Sequence, residues 1–153
     1  MYGKILVPLD GSALAETVLP EVIELATRSG AELVLLRVAL AHALPGADQT
    51  EAQVRAVEEA GAYLATVEAR VAGRRIIVQS AVRYGRAAKE ILDHAKTGGA
   101  DLIAMATHGR TGVRRWVLGS VAETVLRAAP VPVLLVRARI PAASGEESLR
   151  PAA

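Results

Sequence analysis

The sequence predicts an α/β fold: a five-stranded parallel sheet with helices on both faces. Two observations predict it. Five short apolar runs of strand length occur along the chain, and the stretches between them carry helical periodicity. Continuous apolar runs too short for a helix are how strands covered on both sides read. Their alternation with helices calls for right-handed β-α-β crossovers. A length of 153 residues suits one domain.

The first run is Ile5-Leu6-Val7. Leu14, Val18, Val22 and Leu25 follow at intervals of four and three, the stripe of a helix. Pro20 should kink that helix, because proline has no N–H to give the carbonyl of Glu16. The second run is Leu33-Val34-Leu35-Leu36, and residues 39–49, with Pro45 and Gly46, read as a loop that either covers a site or merely connects. Val57, Ala60, Leu64, Val67 and Val71 form the next helical stripe, with Gly73 as its stop signal. Ile76-Ile77-Val78 is the third run; Ala88, Ile91, Leu92 and Ala95 make a third stripe, closed by Gly98-Gly99. Leu102-Ile103-Ala104-Met105 is the fourth run. A last helix through Val121, Val125 and Leu126 ends before Pro130, and Val133-Leu134-Leu135-Val136 is the fifth run. The domain is assigned to residues 1–139. Residues 140–153, with Pro, Ser, Gly and charges but no periodicity, read as a disordered tail.

Composition narrows the function. Eighteen basic and sixteen acidic side chains leave a formal charge of +2, too little to draw a nucleic acid, and the arginines form no long run. With no cysteine there is no disulfide framework, thiolate nucleophile or Cys-ligated metal, which favours a reducing compartment. The N-terminal stretch lacks a signal-peptide pattern, and no apolar run approaches the roughly 20 residues a membrane helix needs. A cytoplasmic protein with no nucleic-acid or membrane partner is expected.

In a parallel sheet of this kind, ligands sit beyond the carboxyl ends of the strands, so the loops after the strands are where chemistry is sought. The segment from Met105 to Val121 leaves a buried strand and enters a helix through Gly109, Gly112 and Gly119. Ser120 and Glu123 have capping-box spacing, so Ser120 is expected to cap that helix. Amides at a helix N-terminus beside a glycine-containing loop form a phosphate site, to which Arg110, Arg114 and Arg115 can add charge. An ordinary β-α loop with turn glycines and solvated arginines accounts for the same residues. The second segment, Pro8-Leu9-Asp10-Gly11-Ser12, follows the first strand. Asp10 there either faces a ligand, as a ribose or metal contact, or makes a turn and caps the first helix.

Walker A, G-x-G-x-x-G and H-E-x-x-H patterns do not occur. Of the histidines, His94 reads as a surface residue, His42 falls in the long loop, and only His108 adjoins the proposed site. Ser120, His108 and Asp10 match a hydrolase triad in residue type, but no G-x-S-x-G elbow supports it.

These two segments, in this order on a five-strand chain, resemble the universal stress protein family over residues 3–137. Its ATP-binding branch carries Gly-x2-Gly-x9-Gly-(Ser/Thr) after the fourth strand. Here Gly109, nine intervening residues and Gly119-Ser120 reproduce the second half of that pattern, and the wording Thr-His-Gly-Arg-Thr-Gly and Leu-Gly-Ser-Val-Ala-Glu is typical. The pattern's first glycine falls on Ala106, where a methyl disfavours positive φ and is expected to lower affinity if the ligand passes close. The resemblance implies a Rossmann-like, adenine nucleotide alpha hydrolase-like fold that binds ATP. It places Pro8, Leu9 and Asp10 around the adenosine, with Asp10 near the ribose or a Mg²⁺ or Mn²⁺ ion on the phosphates. Val38 would face the adenine edge, Met105 and Ala106 the pocket wall, and Gly109, Arg110, Gly119, Ser120 and Val121 the phosphates. It also implies a homodimer through the last strand, Val131 to Val136, an apolar edge needing cover, with Pro132 compatible with an edge.

Three functions compete. The first is an ATP-dependent regulatory or stress-response protein with at most slow hydrolysis, since no positioned base or nucleophile is visible. The second is a nucleotide-free interaction module of the same fold. The third is an adenine-nucleotide enzyme, whose His-x-Gly-His or Ser-Gly-Gly-x-Asp-Ser motif after the first strand does not occur.

Overall fold

In a computed structural model the described residues are 1–42, 45–108 and 118–138. The five strands are β1 (Lys4–Pro8), β2 (Glu32–Ala39), β3 (Val78–Tyr84), β4 (Leu102–Thr107) and β5 (Val133–Arg137). All neighbours pair in parallel, in the order β3-β2-β1-β4-β5. The helices are α1 (Ala13–Glu16), α2 (Leu19–Ser29), α3 (Gln49–Val71), α4 (Ala87–Thr97) and α5 (Ser120–Ala128). The expected α/β architecture is therefore the observed one.

Each apolar run divides between two cores by strand alternation. Ile5, Val7, Leu33, Leu35, Leu102 and Ala104 pack with Val22, Ile23 and Ala26 of α2 and Leu64, Val67 and Val71 of α3. Leu6, Val34, Leu36, Ile103 and Met105 pack on the opposite face, with Ile91 and Ala95 of α4 and Ala122 and Val125 of α5. This two-sided burial is why the runs contain no polar interruption.

The structure corrects four local expectations. Pro20 does not kink one helix; the chain breaks into α1 and α2, and Pro20 occupies the first turn of α2, where its missing N–H leaves no bond unmade. The third strand begins at Val78, where the Ile76-Ile77-Val78 run ends. Ile77 gives only its carbonyl, accepting from the Leu33 amide at 2.8 Å, while its side chain is 65 % exposed. Gly119, not Ser120, is the N-cap of α5: its backbone is extended and its carbonyl accepts from the Glu123 amide at 2.9 Å, which makes Ser120 the first helical residue. His94 is half-buried in α4 rather than at the surface, and burial, then the charges of Arg83 and Lys4, push its pKa down. The expected tail, residues 140–153, lies outside the described residues.

Leu35 is fully buried, whereas Ile77 stands in solvent although both belong to apolar runs. Leu35→Ala should cost about 2–5 kcal/mol through transfer and cavity terms. Ile77→Ala should stay within about 0.5 kcal/mol. Urea unfolding of the two variants beside the parent checks both values.

Candidate functional site

The strand order reverses between β1 and β4. The chain passes from β1 outward to β2 and β3, then crosses back to β4 and β5. A cavity of about 250 Å³ lies at that switch point, beyond the carboxyl ends of β1, β2 and β4.

The β1 side of the cavity is built by a tight turn. The Leu9 amide still donates to the Leu36 carbonyl at 2.8 Å, so the strand holds its course until Asp10. Asp10 Oδ1 then accepts from the Ser12 amide at 2.8 Å and the Ser12 hydroxyl at 2.5 Å. Ser12 Oγ in turn accepts from the Ala15 amide at 3.1 Å and so caps α1. Gly11 makes the reversal with φ +87°, a conformation costly for any residue with a Cβ. The turn-forming role of Asp10 is therefore real. It also leaves the residue exposed on the cavity wall.

Helix α1 is one turn long and is fastened from α3. Tyr63 donates its hydroxyl to Glu16 Oε1 at 2.9 Å, and Arg70 Nη2 meets Glu16 Oε2 at 2.6 Å. This holds Leu14 and Ala15 over the cavity. Burial, then the hydrogen bond to Glu16 and its charge, push the Tyr63 pKa up to about 12, against the opposing charge of Arg37.

The far wall comes from β4 and α5. Met105 and Ala106 close β4, His108 follows, and Gly119 to Ala122 enter α5. Among the described residues no side chain caps α5, so its first-turn amides are open to an acceptor at the positive end of the helix dipole. A Cβ built on Gly119 would meet nothing within 4 Å. Glycine here leaves space at the mouth of that helix. Ala106 pairs with Val136 inside β4, and its φ is not positive, so its methyl introduces no backbone strain.

Nine residues expected from sequence, Pro8, Leu9, Asp10, Val38, Met105, Ala106, Gly119, Ser120 and Val121, line this one cavity. Gly109 and Arg110, with Arg114 and Arg115, lie outside the described residues. Sequence reasoning missed Leu14, Ala15, Leu36, Ala87, Ile91 and Ala122, which complete the wall. Leu14, Leu36 and Ile91 belong to apolar stripes and runs that read as core. Only their position at the carboxyl end of the sheet could have marked them as wall.

The model of the universal stress protein family matches residues 1–137. The chain belongs to that family. Universal stress protein MJ0531 of Methanocaldococcus jannaschii is 33 % identical over 141 residues, covering 90 % of this chain and 83 % of that protein. Among solved structures, MJ0577 of the same organism is similar at 30 % identity and a TM-score of 0.77, covering 92 % of this chain and 99 % of that one. Universal stress protein UspA from Lactobacillus plantarum gives a TM-score of 0.75 at 28 % identity, with 89 % and 98 % covered. Two more distant structures share the universal stress protein fold. One is a complex with cAMP, at 19 % identity and a TM-score of 0.66 over 88 % of this chain and 97 % of that one. The other, from Arabidopsis thaliana with AMP bound, is at 14 % identity and a TM-score of 0.55 over 90 % and 92 %.

The Tyr63 environment sets a pH dependence. Unfolded tyrosine ionises near 10 and folded Tyr63 near 12, so between these values the unfolded chain holds fewer protons. The stabilisation is complete below about pH 10 and is lost as pH rises toward 12. Ultraviolet difference titration should show a late tyrosinate step that Tyr63→Phe removes.

Proposed function

We propose that this chain is a cytoplasmic ATP-binding universal stress protein, a nucleotide-dependent regulator with at most slow hydrolysis. The observation that carries this reading is the open N-terminus of α5 facing a cavity at the switch point, with Gly119 leaving room for phosphate.

The rest of the wall fits an adenine nucleotide. Leu36, Val38 and Ile91 offer an apolar slot for a flat base, and the Val38 backbone lies at its edge. Asp10 has a second carboxylate oxygen beside the one engaged by Ser12, available to a ribose hydroxyl. The Gly119, Ser120 and Val121 amides would take the phosphates, and by the family pattern Gly109 and Arg110 would complete that loop. Among the described residues no group of three His, Asp or Glu side chains could hold a metal. A Mg²⁺ or Mn²⁺ ion would therefore ride mainly on phosphate oxygens, with Asp10 as its protein contact.

Regulation rather than turnover is supported by how the polar wall residues are used. Asp10, His108 and Ser120 share the cavity, but among the described residues no hydrogen bond joins them, and Asp10 is oriented by Ser12. A triad needs its nucleophile, base and orienting acid bonded in sequence. Two adenine nucleotides in relatives of the same fold, AMP and cAMP, are consistent with the ligand class.

Mass spectrometry of nucleotide released from the purified protein on gentle denaturation tests the reading, with copurified ATP expected. Gly119→Val should abolish ATP binding in calorimetry while unfolding stays cooperative, because the side chain enters space that is open in the fold but needed by phosphate. Asp10→Ala should weaken binding about tenfold, the worth of a charge-assisted hydrogen bond, and more with Mg²⁺ present. Unaltered affinity in both variants would remove these residues from the site. Loss of stability alone in Asp10→Ala would leave Asp10 only its turn.

Assembly is the second part of the proposal. β3 and β5 are the two edges of the sheet. β3 carries Gln79, Ser80 and Arg83, whereas β5 is Val133-Leu134-Leu135-Val136 before Arg137, half-buried along its apolar length. A bare apolar edge is an aggregation hazard that a second copy covers under two-fold symmetry. Light scattering at micromolar concentration should give about twice the chain mass with or without nucleotide. A stable, soluble monomer would sink the dimer.

A further inference from the structure

Arg37 sits on β2 between Leu36 and Val38, both of which line the cavity, yet Arg37 itself does not. Strand alternation turns it to the opposite face, beneath the loop after β1 and against α3. There the face of its guanidinium is turned toward Gly11. A Cβ built on Gly11 would stand 3.5 Å from Cζ, Nη1 and Nη2 alike, which puts that point over the face of the planar group. On α3, the Tyr63 ring centroid is 5.7 Å from Cζ.

Among the described residues no carboxylate pairs with this guanidinium. Glu16, the acid nearest in the chain of contacts, is already taken by Tyr63 and Arg70. A half-buried cation without a salt bridge loses hydration that other contacts must offset. Here the Tyr63 ring supplies such a contact. Gly11 is the pivot of the turn, at φ +87°, that directs the Asp10 carboxylate and starts α1. Whatever fixes Gly11 therefore fixes Asp10 on one side and the Leu14–Ala15 wall on the other.

We infer that Arg37 is a positioning residue of the nucleotide site, setting the Asp10–Ser12 turn from its place over the Tyr63 ring and facing Gly11, and touching no ligand. This rests on the ATP-binding reading for its consequence, but not for the contact itself. The role needs a plane, which lysine lacks while keeping the charge. Direct attraction of phosphate would need only the charge, and would weaken with salt.

The experiment uses the full chain with Arg37→Lys and Arg37→Met. Amide exchange by NMR on the nucleotide-free protein should be about tenfold faster at Ser12 and Ala15 in both variants, with the amides of β1 and β4 unchanged, as a local opening requires. ATP affinity by calorimetry should fall about five- to tenfold in both, equally at low and high salt, a coupling of ordinary size. Arg37→Lys combined with Asp10→Ala should lose less affinity than the two single losses combined. Unchanged exchange at Ser12 and Ala15, or full affinity in Arg37→Lys, overturns the inference. A parent protein that binds no ATP instead overturns the functional reading, while the exchange result still decides whether Arg37 holds the turn.

Discussion

The crossovers on the two sides of β1 run in opposite directions, and this divergence governs where a ligand can be held. Right-handed connections toward β3 place α2 and α3 on one face, and those toward β5 place α4 and α5 on the other. Each helix layer packs against the body of the strands. Beyond the carboxyl ends of β1 and β4 neither layer crosses over the other, and the apolar floor formed by Leu36 and Met105 opens into the cavity. The same separation is why β1 is apolar throughout its centre: Ile5, Leu6 and Val7 are fully buried between the two helix layers, and β1 pairs with β2 on one side and β4 on the other.

Two backbone features supply polarity to that opening. One is the N-terminus of α5, whose amides carry the positive end of a dipole worth roughly half an elementary charge. Capping by Ser120 would have satisfied one of these amides internally. With Gly119 as the cap, the hydroxyl begins the helix instead and the amides stay open. The other is the Asp10 turn, which spends one carboxylate oxygen on Ser12 and keeps the residue on the wall. The two readings of Asp10, turn former and ligand contact, thus draw on different oxygens of one side chain. Structural duty and site duty are compatible here.

How much was legible follows from burial. Strands covered on both faces announce themselves as unbroken apolar runs, and β1, β2, β4 and β5 were placed that way. β3 is an edge whose residues are at most half-buried, so Gln79, Ser80 and Arg83 are tolerated and the preceding Ile76-Ile77 pair drew the strand too early. The start of α3 was hidden for the same reason: no residue before Ala60 is buried, so the stripe begins well inside the helix. In the site, topology pointed to the loops after the first and fourth strands, and the family resemblance added Val38 at the end of the second. Ala87 and Ala122 were not, since a small apolar residue at a helix start carries no mark of the cavity it faces. The Tyr63–Glu16 and Arg37–Gly11 contacts span the chord between elements and leave no spacing in the sequence.

Glycine is informative only where its freedom is used, and this site separates two cases. At Ala106 the family pattern has glycine, yet the position lies in regular strand, paired with Val136, and its φ is not positive. Its methyl packs toward the α2–α3 core, so replacing glycine there removes no conformation that the backbone adopts. At Gly11, which forms no part of the family's glycine pattern, the chain turns at φ +87° with a guanidinium against it. A side chain there would meet backbone strain, and a branch beyond its Cβ would meet the Arg37 plane. The backbone requirement for glycine thus falls in the loop after β1, and the departure at Ala106 bears on the space beside a ligand rather than on the path of the chain.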